Sequence, residues 1–282
     1  MVGESSNIRE HRREWVLLGL FVLTFMVVFY PTWESLYYAW SSSDDYSHGF
    51  LIVPLSLYFV WQKRQELLNA PIKSSWLALP FVLLALFFYV VSQYAEILTL
   101  APIAMVLFIA SSLLFLFGFQ IFKICLFPLF LLLFMIPVPG QIYAAMTIPL
   151  QLFVTKVTVF IASSIGIPIL REGNVLNLPE HTLQVVQACS GLRSIMTLLT
   201  LGIVIAYSTL KSNGLRTVLF VLAIPIAILV NVVRVLLMVI AFYYYDFDLA
   251  SGTIHTAFGA IIFGVAILLF LLCRKVLALC EK

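Results

Sequence analysis

Residues 142–165 read IYAAMTIPLQLFVTKVTVFIASSI. The stretch is apolar enough for a membrane. Yet Thr147, Gln151, Thr155 and Thr158 recur at helical spacing and form one polar stripe. Whether it crosses a bilayer or only enters one sets the parity of the whole chain, and with it the architecture.

The surroundings identify the solvent. Of 282 residues, 63% are hydrophobic and 10% charged, where a soluble globule carries about a quarter charged residues. The bulk of the chain must face lipid or other apolar helices. The composition shows no basic run of the kind that binds nucleic acid and no repeat. Apolar spans fall at about 15–30, 46–61, 75–92, 97–117, 121–136, 190–210, 217–242 and 256–273. The first has a basic flank like a signal peptide, but Pro31-Thr32-Trp33-Glu34 follows instead of small residues, so it reads as an uncleaved helix.

Charge orients these spans. With the N-terminus inside, the inner segments hold Arg9, Arg12, Arg13, Lys63, Arg64, Lys73, Lys123, Lys211, Arg216, Arg274, Lys275 and Lys282, most of the 16 basic residues. The outer segments 31–45, 93–96 and 243–255 hold none, and carry Glu34, Asp44, Asp45, Glu96, Asp246 and Asp248 instead. Counting from either end leaves both residue 137 and residue 189 outside. The stretch 142–165 is therefore expected as an amphipathic or re-entrant helix with its stripe on protein or water. The alternative is a true span, with one of the shorter spans failing to cross. Beyond it, Glu172-Gly173-Asn174 between two apolar runs, followed by alternating Thr182-Leu183-Gln184-Val185, predicts a hairpin. The expected class is an all-α polytopic membrane protein with about eight transmembrane helices, that extra helix, and a small extracytoplasmic β-like cap. Residues 1–14 would be a cytoplasmic tail and 15–282 a single membrane domain, with the outer cap at about 137–189.

On this topology Cys125, Cys273 and Cys280 lie at the inner face and Cys189 alone at the outer one. That leaves Cys189 no disulfide partner. With no CxxC and no His–Cys cluster, no metal site is expected. A cysteine is often a small buried apolar residue, and that reading suits the inner three. Cys189 instead precedes the span opening at Ser190-Gly191. Amide donors and the helix dipole stabilise a thiolate there, and Arg193, four residues on, adds a cation on the same face. Arg234 stands inside an apolar span, about 25 Å up from its inner end at Thr217. A charge within a span points to function by default, and Asn231 is on its face. It could also snorkel to headgroups or pair with Asp246 for structure. His255 sits at the outer end of the last span; His48 and His181 are also outer. Cys189, Arg234 and His255 thus end at one level from three helices. Acyl transfer needs those parts: a thiolate to attack a carbonyl, a histidine to handle the proton, a fixed cation for the developing oxyanion.

Taken in order, YSHGFLIVPLSLYFVW (46–61), REGN (171–174), ACSGLRS (188–194), NVVR (231–234) and the histidine at the head of the last helix resemble the exosortase/archaeosortase family. The resemblance runs from about residue 30 to residue 273. It implies a multi-spanning cysteine protease or transpeptidase. Such an enzyme cuts secreted proteins at a C-terminal signal made of a short motif such as Pro-Glu-Pro, a transmembrane stretch and a basic tail. The family's Cys–Arg–His set carries onto Cys189, Arg234 and His255, with Ser190, Arg193 and Asn231 in support. The histidine matches the bacterial branch, which implies an inner-membrane protein with both termini cytoplasmic. A thioacyl-enzyme would be resolved by water or by an amine on a lipid or glycan, without a cofactor. His48 matches an N-terminal family motif and is not assigned to catalysis. Two other classes compete: an acyltransferase carrying a lipid acyl group on Cys189, and a transporter or flippase with Arg234 as its anion site. The latter calls for inverted repeats, and no such symmetry is visible in the sequence.

Overall fold

The computed structural model describes residues 19–185 and 191–281. They divide into two compact units between Pro139 and Gly140. Six described helices are long and apolar enough to cross a membrane, or seven if one bent pair makes a single span. The chain is a multi-pass membrane protein.

The first unit opens with the bent pair, α1 (Gly19–Val28) and α2 (Tyr30–Ser42), which meet at 63°. Pro31 lies in the first turn of α2. It has no N–H to give back to α1, and its ring crowds the carbonyl four residues earlier, so the axis turns there. The segment expected as the outer connection 31–45 is helical over 30–42, because proline breaks the helix it follows but suits the first turn of the next. Then come α3 (Gly49–Gln62), the short α4 (Arg64–Asn69), a 3₁₀ turn leading into α5 (Leu79–Tyr94), α6 (Leu100–Phe117) and α7 (Phe119–Leu132). The segment 40–48 is fastened to the end of α7. Trp40 Nε1 donates to the Met135 carbonyl (2.9 Å), Tyr46 Oη to Val138 (3.2 Å) and His48 Nε2 to Phe134 (3.2 Å).

Two expected spans prove short. α3 has 14 residues, about 21 Å of helix, and α7 with its 3₁₀ extension ends at Met135. Neither reaches the roughly 20 residues that a bilayer core asks for. The stretch 142–165, by contrast, is one continuous 25-residue helix, α8 (Gly140–Ser164), about 37 Å long. By length and composition it qualifies as a span. Its length favours the alternative of a true span over a re-entrant helix, and the expectation that its polar stripe faces protein holds. Thr147, Gln151, Thr155 and Thr158 are all buried, and the Thr155 hydroxyl turns back to the Gln151 carbonyl at 2.9 Å.

α8 begins the second unit, which continues with β1 (Leu170–Glu172), β2 (Val175–Asn177), β3 (Thr182–Gln184), α9 (Leu192–Thr209), α10 (Asn213–Tyr245) and α11 (Gly252–Leu279). The expected hairpin is present as an antiparallel sheet in the order β1-β2-β3, pairing Leu170 with Asn177 and Leu176 with Leu183. Its turn passes through Gly173 at φ 64°, a conformation open to glycine. Leu176, Leu183 and Val185 point inward and share a core with Val154 of α8 and Val235, Met238 and Val239 of α10. One sheet face is thereby seated on two membrane helices.

Candidate active site

Three chain segments approach one another in the second unit: the start of α9, the C-terminal half of α10 and the first turn of α11. α10 has 33 residues. Arg234 lies 11 residues before its end at Tyr245, about 16 Å by helical rise. The chain 246–251 then returns, so that α11 opens beside Arg234. There His255, in the first turn, accepts a hydrogen bond at Nε2 from Arg234 Nη2 at 2.9 Å.

That bond fixes the imidazole's proton. A guanidinium has donors only, so Nε2 must present its lone pair and Nδ1 must carry the hydrogen. Nδ1 accordingly donates to the Leu249 carbonyl at 3.1 Å. His255 is held as the neutral Nδ1–H tautomer, with its basic nitrogen covered by Arg234. Asp246, the acid that could have paired with Arg234 for structure, instead contacts His181 Nε2 at 2.7 Å, and the His181 ring packs on Phe242. Arg193, in the first turn of α9, lies within electrostatic reach of His255.

Asn231 is buried one turn below Arg234. Gly191 rests on it. Gly191 has φ 86°, and an added Cβ would stand 2.9 Å from the Asn231 amide. Both the backbone and the space restrict this position to glycine. The expected nucleophile Cys189 and its neighbour Ser190 lie outside the described residues. Of the three thiols read as small buried apolar residues, only Cys125 is buried; Cys273 is half-buried and Cys280 is exposed beyond the end of α11. Cys125 is buried between Ile121 and Leu129 in the first unit, and Cys273 and Cys280 carry no disulfide.

Two positioning residues are not apparent from the sequence reading. Gly259, one turn below His255, faces the guanidinium, and a Cβ there would lie 2.9 Å from Arg234 Nη2. A side chain there would push the guanidinium from its present place against His255. Asn174 of the REGN stretch brackets Val185 from both sides: its Nδ2 donates to the Val185 carbonyl (3.1 Å), and its own carbonyl accepts the Val185 N–H (2.9 Å). The strand leading toward residue 189 is therefore held at a defined exit. The signal for Asn174 is present as a motif, whereas Gly259 gives none.

Asp248 shapes the entry to α11. The Ser251 hydroxyl and the Ala250 N–H (2.6 Å) both bond its carboxylate, which holds the acid below the ordinary carboxyl range. A depressed acid contributes while ionised, above about 3.8, and loses its hold as pH falls through its lowered value. At neutral pH the contact is intact. Asp248→Ala is expected to speed amide hydrogen exchange in the first turn of α11 by about threefold to tenfold. Asp248→Asn, which keeps an acceptor oxygen, should change it little. Equal exchange in the alanine variant would show that α11 starts without this help.

A family model described as transmembrane exosortase matches residues 40–272. No curated protein and no solved structure matches the chain. The matched span takes in every site residue named above.

Proposed function

The chain belongs to the transmembrane exosortase family, and from that premise we propose that it is a cysteine protease or transpeptidase that trims C-terminal sorting signals from secreted proteins. The substrate's transmembrane tail lies against the helices, and the peptide bond just outside it meets Cys189. The Cys189 sulfur bonds to the carbonyl carbon, the carbonyl electrons move onto oxygen, and Arg234 donates to that oxyanion. His255 takes the thiol's proton during attack and passes it to the leaving nitrogen, so that collapse breaks the C–N bond, expels the tail as an amine and leaves a thioester. An amine on a membrane lipid or glycan, or water, then attacks the thioester and restores the thiol. Both termini are cytoplasmic and the site faces outward, as the distribution of lysine and arginine supports.

One observation carries this reading. Gly191, two positions after Cys189 in sequence, packs on Asn231, a single helical turn from the Arg234–His255 bond. Gly191 before α9, Arg234 of α10 and His255 of α11 thus lie close together, which supports reading Cys189, Arg234 and His255 as one set.

The test is co-expression with a secreted protein that carries a motif, a transmembrane stretch and a basic tail. The expected product has lost the mass of the tail, and a trapped intermediate carries a substrate peptide on Cys189. A fatty acyl chain on Cys189 would instead identify an acyltransferase. An unmodified thiol with intact substrate would remove the enzymatic reading.

A further inference from the structure

The first unit contains a cavity of about 290 Å³ between α2, the end of α5 and the start of α6. It is unlike the apolar clefts that lipid tails fill. Thr32, Ser35, Ser92, Gln93 and Glu96 all line it. Thr32 is 1% exposed, and its hydroxyl has no hydrogen-bond partner. The reason lies in the bend described above. A threonine hydroxyl in a helix ordinarily returns to the carbonyl four residues earlier. For Thr32 that carbonyl is Val28, beyond the break, and it accepts the Tyr89 hydroxyl at 2.6 Å. Buried hydroxyls left without a bond are rare in folded proteins, and a bound ligand is one way to satisfy them.

Ser92, also buried, spends its proton on the Tyr89 carbonyl at 2.6 Å. Its lone pairs remain available as acceptors. Glu96 sits at the turn between α5 and α6, which is closed by the Ile97 N–H on the Ser92 carbonyl at 3.1 Å. It is the one charged residue in the lining. The lining therefore brings together a carboxylate, the acceptor oxygens of serine and glutamine side chains, and the buried, unpartnered Thr32 hydroxyl. The complementary ligand is small, positively charged and rich in N–H donors. A primary ammonium has three such donors, and a quaternary ammonium has none.

We propose that the cavity is a binding site for a primary ammonium on a short polar chain, of the ethanolamine class, with Glu96 as its counter-ion and the Thr32 hydroxyl as a further partner. The ligand is either a free amine or the headgroup of a lipid. This site involves neither Cys189 nor its helices, so its failure would leave the proposed reaction untouched.

Full-length protein in detergent is titrated with ethanolamine by calorimetry. Separately, it is placed in nanodiscs of equal phosphatidylethanolamine and phosphatidylcholine, and the retained lipid is read by native mass spectrometry. Saturable ethanolamine binding, weakened about tenfold or more by Glu96→Gln, supports the site with a free amine as ligand. Selective retention of phosphatidylethanolamine without ethanolamine binding, lost in Glu96→Gln, supports it with a lipid headgroup. Binding that is indifferent to Glu96→Gln, or retention of both lipids alike, overturns it. Thr32→Val is the second variant. Its hydroxyl holds no partner in the fold, so the change should leave the unfolding temperature unlowered while weakening the ligand about threefold or more. A clear drop in unfolding temperature with unchanged ligand binding would show Thr32 to be structural and the cavity unrelated to it.

Discussion

Replacing Cys189 with alanine is expected to abolish processing of a tail-bearing substrate, by about a thousandfold or more, while the protein still inserts into membranes at its usual level. Loss of a covalent nucleophile leaves only what positioning and oxyanion donors supply, and such losses are of this order. Cys189→Ser should fall nearly as far, since a hydroxyl at neutral pH gives far less anion than a thiol. The measurement is the mass shift of the substrate on co-expression. Processing at the wild-type rate in the alanine variant would end the assignment of Cys189. A membrane-impermeant thiol reagent on intact cells gives a companion result: it should label Cys189 and spare Cys273 and Cys280. The reverse pattern would invert the proposed orientation.

The second large effect concerns the guanidinium. Arg234→Lys keeps the charge but replaces a planar fork with a point donor, and processing should fall about tenfold to a hundredfold. Gly259→Ala should produce a comparable loss although it removes no polar group, because the new methyl would stand 2.9 Å from Nη2. Gly264, also on α11, has no atom within 4 Å of a built Cβ, so Gly264→Ala should have little effect and serves as the control. Combining Gly259→Ala with Arg234→Lys should cost little beyond either alone, since both act on one contact. Full additivity, or a harmless Gly259→Ala, would separate the glycine from the arginine.

Much of the membrane architecture is legible in the sequence because a long apolar run has little use outside a bilayer. α5, α6, α10 and α11 appear where hydropathy puts them, and α10 and α11 extend past the expected ends. The differences arise where local chemistry has two meanings. Pro31 and Glu34 look like a loop, yet proline also begins helices, so α2 is hidden. The polar stripe of α8 fits both a re-entrant helix and a span packed on protein, and the hydroxyls of Thr147 and Thr155 bond their own backbone, which lets them be buried within a bundle. The crossing count then depends on α3 and α7, whose apolar runs are genuine but short.

The candidate site divides along the same line. Arg234 and His255 are legible because charge and imidazole are conspicuous within grease. Their direct bond is not, since it requires α10 to overshoot and the chain 246–251 to come back. Gly191 and Gly259 are invisible for a different reason. Their contribution is the absence of atoms at a point in space, and a sequence does not show which neighbour uses the room. Asn174 lies between these cases: its motif is conspicuous, but its hold on Val185 depends on the sheet being formed.

The tautomer of His255 bears on the timing of the proposed reaction. At rest, one of the five guanidinium N–H groups of Arg234 covers Nε2, the nitrogen that a proton would need. On the proposed mechanism His255 can take a proton only after that one bond is given up. An arriving carbonyl that draws the guanidinium toward its oxygen would loosen the cover, so in the proposed reaction substrate binding and release of the base are coupled through a single contact.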